Sequence, residues 1–236
     1  MFMRIFFITG IDTDIGKSYA TGLAARYLLK QGVRVVTQKM VQTGTSQSLA
    51  DDLWTHRRLM GIEPLPEDVD GTTCPYRFPF PASPHLAAEL ENRVVDPLLI
   101  TSCTERLLEA FDVVLLEGAG GIHVPITRDV LTSDYLEARK YPLIVVTSGR
   151  LGSINHTLLT LEAAVRRRIP IAGIVFNHHP PADARIGKDS LRFFREQLKR
   201  CGRGDALVEL PEIRLENAPD IDFSSLFDLF AGKTNR

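Results

Sequence analysis

The sequence predicts an α/β fold: a doubly wound, mostly parallel sheet covered by helices. Three observations predict it. Six short apolar runs rich in β-branched or aromatic residues recur along the chain. Most are continuous rather than alternating, as strands buried on both faces are. Helix-length segments with helical apolar spacing lie between them, and such alternation of strand and helix builds parallel sheets.

The first strand is expected over residues 5–8 (Ile-Phe-Phe-Ile) and runs into a glycine-bounded turn. A helix follows over 18–30, where Ala20, Leu23, Ala24, Tyr27 and Leu28 recur at helical spacing until Gly32 stops it. The second strand spans 33–38. The stretch from Glu63 to Pro84 holds six prolines (64, 66, 75, 79, 81 and 84), which predicts a rigid, exposed surface loop. A helix over 97–110, a strand over 113–116 and a strand over 143–146 come next. Then follow a helix over 151–167, a strand over 171–175, a helix over 190–199 and a strand over 206–208. The basic run Arg166-Arg167-Arg168 reads as a solvated helix end, favourable with the dipole. No composition break marks a linker, so residues 1–236 are expected to form a single domain, with 217–236 as a C-terminal helix and tail.

Composition excludes several function classes. Hydrophobic residues make up 44% and charged residues 24%, which suits a folded globular chain rather than a disordered one. Twenty-eight basic and 29 acidic side chains leave a net charge of −1, which argues against general nucleic-acid or anionic-membrane binding. Cys74, Cys103 and Cys201 are far apart and have no C-x-x-C or Cys/His spacing, so a structural zinc site is not expected. Idle thiols, no signal-like N-terminus and no apolar stretch of about 20 residues point to a cytoplasmic protein without a membrane span.

The chemistry-bearing motif is Gly10-Ile11-Asp12-Thr13-Asp14-Ile15-Gly16-Lys17-Ser18, which fits G-x-x-x-x-G-K-[ST] between a strand and a helix. Gly10 and Gly16 let successive backbone N–H groups turn toward phosphate oxygens. The helix start adds positive potential, Lys17 can reach the β- and γ-phosphates, and Ser18 can hold Mg²⁺. The expected fold is therefore that of the P-loop nucleoside triphosphate hydrolases. Glu117 ends a buried strand, where such proteins place a metal-directed acid, and Gly118-Ala119-Gly120-Gly121 permits close approach to a ligand. Lys39 ends the second strand, on the side where ligands collect in an open parallel sheet; a solvated strand-end lysine fits the spacing equally well. Asp51 and Asp52 precede a helix and read equally as metal ligands or as N-caps. Gly232-Lys233-Thr234 lacks the upstream glycine and a following helix, and reads as tail.

Together these residues resemble the dethiobiotin synthetase family over nearly the whole chain. The family's G-T-D-T-[DE]-V-G-K-[ST] matches residues 10–18, with Ile11 for threonine, and its K-P-V-x-[ST]-G matches 39–44, with Met40 for proline. S-D-A-x-x-L matches 50–53, P-Y-x-F-x-x-P-x-S-P-H matches 75–85, E-G-A-G-G matches 117–121 and L-G-x-I-N-H matches 151–156. The resemblance implies an ATP- and Mg²⁺-dependent ligase that converts 7,8-diaminononanoate and CO₂ to dethiobiotin, ADP and phosphate. The path it implies runs through a carbamate and a carbamic–phosphoric anhydride.

Site residues are implied position by position. Lys17, Lys39 and Thr13 would carry the reaction. The nucleotide would be held by 14–19 (Asp14, Ile15, Gly16, Lys17, Ser18, Tyr19), by Glu117, Gly118, Ala119 and Gly120, by Asn177 and His178, and by Pro211, Glu212 and Ile213. Ser18, Asp51 and Glu117 match the metal ligands, with Asp51 the aspartate in register. Thr43 and Asp14 would meet the diamine. Gly152, Ser153, Ile154 and Asn155 open a helix whose free N–H groups would take the substrate carboxylate of the neighbouring subunit, which implies a homodimer. His156 and His85 are expected to be structural. The competing readings are a related P-loop amidoligase and an ATP-driven partitioning switch. The switch class carries an extra lysine early in the loop, where this chain has Ile11 and Asp12.

Overall fold

All six apolar runs become strands of one parallel sheet. The computed structural model describes residues 4–181 and 183–227. In chain order the elements begin with β1 (Ile5–Gly10), α1 (Lys17–Lys30), β2 (Val35–Lys39), β3 (Gln42–Thr43), α2 (Asp51–Met60), α3 (Pro66–Val69), β4 (Arg77–Phe78), α4 (Pro84–Leu90) and α5 (Pro97–Ala110). They continue with β5 (Val113–Glu117), α6 (Thr132–Arg139), β6 (Leu143–Ser148), α7 (Ser153–Arg166), β7 (Ile171–Asn177), α8 (Ala184–Arg200), β8 (Leu207–Leu210) and α9 (Ser224–Phe227). The main sheet has the order β2-β5-β1-β6-β7-β8, all parallel. From β1 the chain passes to β2 on one side, and after β5 it crosses to β6 on the other. That reversal opens a crevice at the carboxyl ends of β1, β5 and β6, where ligands bind in open α/β sheets.

Strand alternation divides the core between the two faces. Phe6 and Ile8 pack with Ala20, Leu23 and Ala24 of α1, while Phe7 faces Leu116, Val145 and Leu161 on the opposite side. The helix over 97–110 forms as expected, with Asp96 accepting from the Leu98 N–H at its start. The last long helix begins earlier than expected, at Ala184, because Asp183 caps it by accepting from the Arg185 N–H. Of the C-terminal segment, Leu215–Asn217 forms a 3-10 turn and α9 packs on the sheet. Residues 228–236, including Gly232-Lys233-Thr234, lie outside the described residues.

The proline-rich stretch departs from expectation. It is not an exposed loop. Thr72, Thr73, Cys74, Tyr76 and Phe78 are buried, α3 forms within it, and β4 pairs in parallel with β3. The reason is a long-range anchor. Asp68 accepts from Arg57 Nε at 2.8 Å and Nη2 at 2.7 Å, and both side chains are buried. Prolines stiffen the segment without deciding which of its faces is covered.

Candidate active site

The loop between β1 and α1 is shaped by two glycines. A Cβ on Gly10 would lie 2.6 Å from Ile15 Cγ2 and 2.7 Å from the Asp12 carbonyl. Gly16 adopts φ 93°, and a Cβ there would sit 2.4 Å from Asn177 Nδ2. The carboxamide of Asn177 crosses from the end of β7 to donate to the Ile15 carbonyl at 3.0 Å, while its oxygen accepts from the His179 N–H. Lys17 is buried and its ammonium donates to the Asp12 carbonyl at 3.0 Å. The Asp12 carboxylate is held in turn by Arg150, from the loop after β6.

Charge converges behind this loop. Ser18 Oγ lies 2.7 Å from Asp52 Oδ1 and 3.1 Å from Glu117 Oε1. Lys39 Nζ donates to Glu117 Oε1 at 2.8 Å and to the Gly118 carbonyl at 3.0 Å, and it also pairs with Asp52. The second oxygen of Glu117 accepts from Thr21 Oγ1 at 2.8 Å and from His56 Nε2 at 2.9 Å. Burial would raise the Glu117 pKa, but Lys39 and His56 hold it well below the ordinary carboxylate range. Burial likewise opposes the charge on Lys39, yet Glu117 and Asp52 more than offset it and hold that pKa above its usual value. Lys17 is depressed, by burial first and by neighbouring Lys39 second.

Lys17, Ser18, Lys39, Asp52 and Glu117 line a cleft of about 950 Å³. The loop and α1 contribute Thr13, Asp14, Gly16, Lys17, Ser18 and Tyr19; Lys39 and Thr43 come from β2 and β3. The ends of β5 and β7 add Glu117, Ala119, Gly120 and Asn177, and the segment after β8 adds Pro211, Glu212 and Ile213. Ile15 is buried under the loop, and Gly118 packs behind the cleft against Phe7.

Two expected positions, Asp51 and His178, fall elsewhere. Asp51 is exposed on α2 and makes no contact with Ser18; the aspartate beside Ser18 is Asp52. The helix starts at Asp51, so a step of one residue turns the side chain by about 100° and brings the second acid inward. His178 points away and pairs with Glu209 at 3.0 Å, whereas His179 lines the cleft. Gly152, Ser153, Ile154 and Asn155 form the start of α7 and do not line the cleft of their own chain, and Leu151 beside them is 91% exposed.

Sequence reasoning missed His56, Thr21 and the Arg150–Asp12 pair. The first two carried a signal: His56 follows Asp52 by four residues and Thr21 follows Lys17 by four, so each shares a helix face with a site residue. Nothing in the sequence links Arg150 to Asp12.

The motif matches extend to similarity over most of the chain. The family described as an AAA domain matches residues 4–219. The ATP-dependent dethiobiotin synthetase BioD 2 of Pasteurella multocida is 50% identical over 197 residues, which cover 84% of this chain and 92% of that relative. The ATP-dependent dethiobiotin synthetase BioD of Chlorobaculum tepidum is 49% identical over 205 residues, 87% of this chain and 85% of its own.

The chain belongs to the dethiobiotin synthetase family.

Among solved structures, a ParA family ATPase from Chlorobium tepidum TLS superposes with a TM-score of 0.53 at 16% identity, covering 96% of this chain and 90% of that one. That likeness is one of fold alone. A dethiobiotin synthetase and a ParA family ATPase thus share the P-loop sheet. What separates this synthetase chain from the partitioning reading is its sequence, including Ile11 and Asp12 in the loop.

Proposed function

We propose that this chain closes the ureido ring of dethiobiotin from 7,8-diaminononanoate and CO₂ with MgATP, in the cytoplasm and as a homodimer. The observation that carries this reading is the convergence of Lys17, Lys39 and the Ser18–Asp52–Glu117 oxygens in one cleft, in a chain half identical to named dethiobiotin synthetases. No helix among the described residues is long and apolar enough to cross a membrane. Residues 1–236 are read as one domain built on the single six-stranded sheet.

The donor set fits a magnesium ion. Ser18 Oγ, Asp52 Oδ1 and Glu117 Oε1 are hard oxygens, and both carboxylate oxygens lie within hydrogen-bond distance of the Ser18 hydroxyl. When bound there, Mg²⁺ would neutralise and orient the nucleotide phosphates.

The rest is the work of this chain's residues. The loop N–H groups of residues 13–18 and the start of α1 hold the β- and γ-phosphates, with Lys17 as the buried counter-charge. Asn177 retains one amide hydrogen and one lone pair for the edge of adenine, and Pro211, Glu212 and Ile213 wall the base. One diamine nitrogen adds to CO₂ and loses a proton, giving a carbamate. Lys39 sits where it can hold that carbamate against the γ-phosphate despite their like charges. A carbamate oxygen displaces ADP at the γ-phosphorus. The second amine then attacks the carbonyl carbon, the ring closes, and phosphate leaves. Asp14 and Thr43 border the amine end, Thr13 faces the transferred group, and the α7 start of the second subunit (152–155) receives the carboxylate.

The test is an ADP-release assay with each substrate omitted in turn. Release is expected only with diaminononanoate and bicarbonate both present. Fast turnover with ATP alone would overturn the reading in favour of a nucleotide switch.

A further inference from the structure

A buried line of polar groups approaches Glu117 from the side away from the cleft. It begins at the Arg57–Asp68 ion pair. Arg57 Nη1 donates to Thr37 Oγ1 at 2.6 Å, and Thr37 Oγ1 lies 3.1 Å from His56 Nδ1. His56 Nε2 lies 2.9 Å from Glu117 Oε2. His56, Thr37 and Glu117 are each fully buried. Because the Glu117 carboxylate only accepts, His56 Nε2 carries the hydrogen. The Thr37 hydroxyl, already accepting from Arg57, has its own hydrogen free for Nδ1.

The two oxygens of Glu117 therefore have different environments. Oε2 is turned inward, to His56 and Thr21. Oε1 alone is turned to the cleft, toward Ser18 and Lys39. Without a donor at His56, the carboxylate could rotate and share both oxygens with Lys39 and Ser18. A histidine serving only the core would be satisfied by Thr37 and water or a backbone carbonyl. This one is aimed at the acid that ends β5, from the same face of α2 that supplies Asp52.

We propose that His56 is a positioning residue of the site: it fixes the rotation of Glu117 so that Oε1 alone is presented to the divalent cation. The proposal rests on the cation reading given above. Partners that orient a metal-binding side chain typically carry about 10–100-fold of the metal affinity.

The experiment measures Mn²⁺ binding to the full chain loaded with a non-hydrolysable ATP analogue, by electron paramagnetic resonance of free Mn²⁺. His56→Leu keeps bulk and removes the donor; it is expected to weaken Mn²⁺ about 10–100-fold, with analogue binding in EDTA unchanged. His56→Gln, which returns an N–H toward Glu117, is expected to recover affinity to within a few-fold. A folded His56→Leu with wild-type Mn²⁺ affinity overturns the proposal, as does a His56→Gln variant no better than His56→Leu. Should His56→Leu fail to fold, Thr37→Val frees the ring to turn and is expected to weaken Mn²⁺ several-fold; no change there overturns the proposal. Glu117→Gln separates the two readings. If it binds Mn²⁺ as tightly as the wild type, the cation reading fails; if it loses Mn²⁺ while His56→Leu does not, only the positioning role fails.

Discussion

At the scale of single residues, the site is a small set of opposed charges kept out of water. Lys17 is buried with its pKa lowered by burial and by Lys39, so its ammonium is poorly solvated and gains most from an anion arriving beside it. Lys17→Ala should cost about 10²–10⁴-fold in kcat, measured as ADP release with all substrates present; near-normal turnover would remove Lys17 from the reaction. The adjacent aspartates give a sharper contrast. Asp52 touches Ser18 and Lys39, while Asp51 faces solvent. Asp52→Asn should lower activity and raise the Mg²⁺ requirement by about tenfold or more, whereas Asp51→Asn should leave both unchanged. Equal losses in the two variants would contradict the geometry. The motif match favours Asp51, and the difference is instructive. The acidic pair before a helix was legible in the sequence, but which acid faces inward depends on the helix's starting residue. One position turns a side chain by about 100°, and no local pattern settles it.

At the scale of elements, the strands of the six-stranded sheet were legible and their supports were not. Each strand of the sheet was visible as an apolar run because burial on both faces leaves little room for polar residues. The burial of segment 63–84 is not legible locally because it depends on Arg57, which belongs to another element. The Asp68 carboxylate receives Arg57 in a bidentate pair, together with the Leu65 N–H and Thr73 Oγ1, each at 2.7 Å. Burial opposes the charge, but these donors hold the Asp68 pKa below its ordinary value. The consequence has a definite sign. A carboxylate whose folded pKa is lowered contributes stability above its unfolded pKa, about 4, and loses it as pH falls through the folded value. The urea midpoint should therefore drop as pH goes from 5 toward 3. Asp68→Asn should start lower, by about 3–5 kcal/mol, because Arg57 is left buried and unpaired. It should also show a shallower acid dependence. Parallel curves for the two proteins would show that other carboxylates govern acid unfolding.

At the scale of the whole molecule, the cleft of one chain holds the phosphate loop, the two lysines and the Ser18, Asp52 and Glu117 oxygens, but not the helix start that the substrate carboxylate is proposed to use. The N-terminus of α7 is exposed at Asn155 and beside Leu151, on a helix whose first turn carries no acid. If each site joins the phosphate loop of one subunit to the α7 start of the other, two inactive variants should complement each other. Lys17→Ala disables the loop. Asn155→Glu places an anion at the helix start, which the dipole tolerates and the substrate carboxylate does not. Each alone should be nearly inactive. Mixed at equal concentration and allowed to exchange subunits, half the dimers become heterodimers. In each heterodimer one site draws both its loop and its helix start from unaltered segments, while the other carries both changes. Random exchange through a two-fold interface should thus restore about one quarter of wild-type activity. Light scattering on the same samples should report a dimer throughout. No recovery after verified exchange would overturn a site shared between subunits.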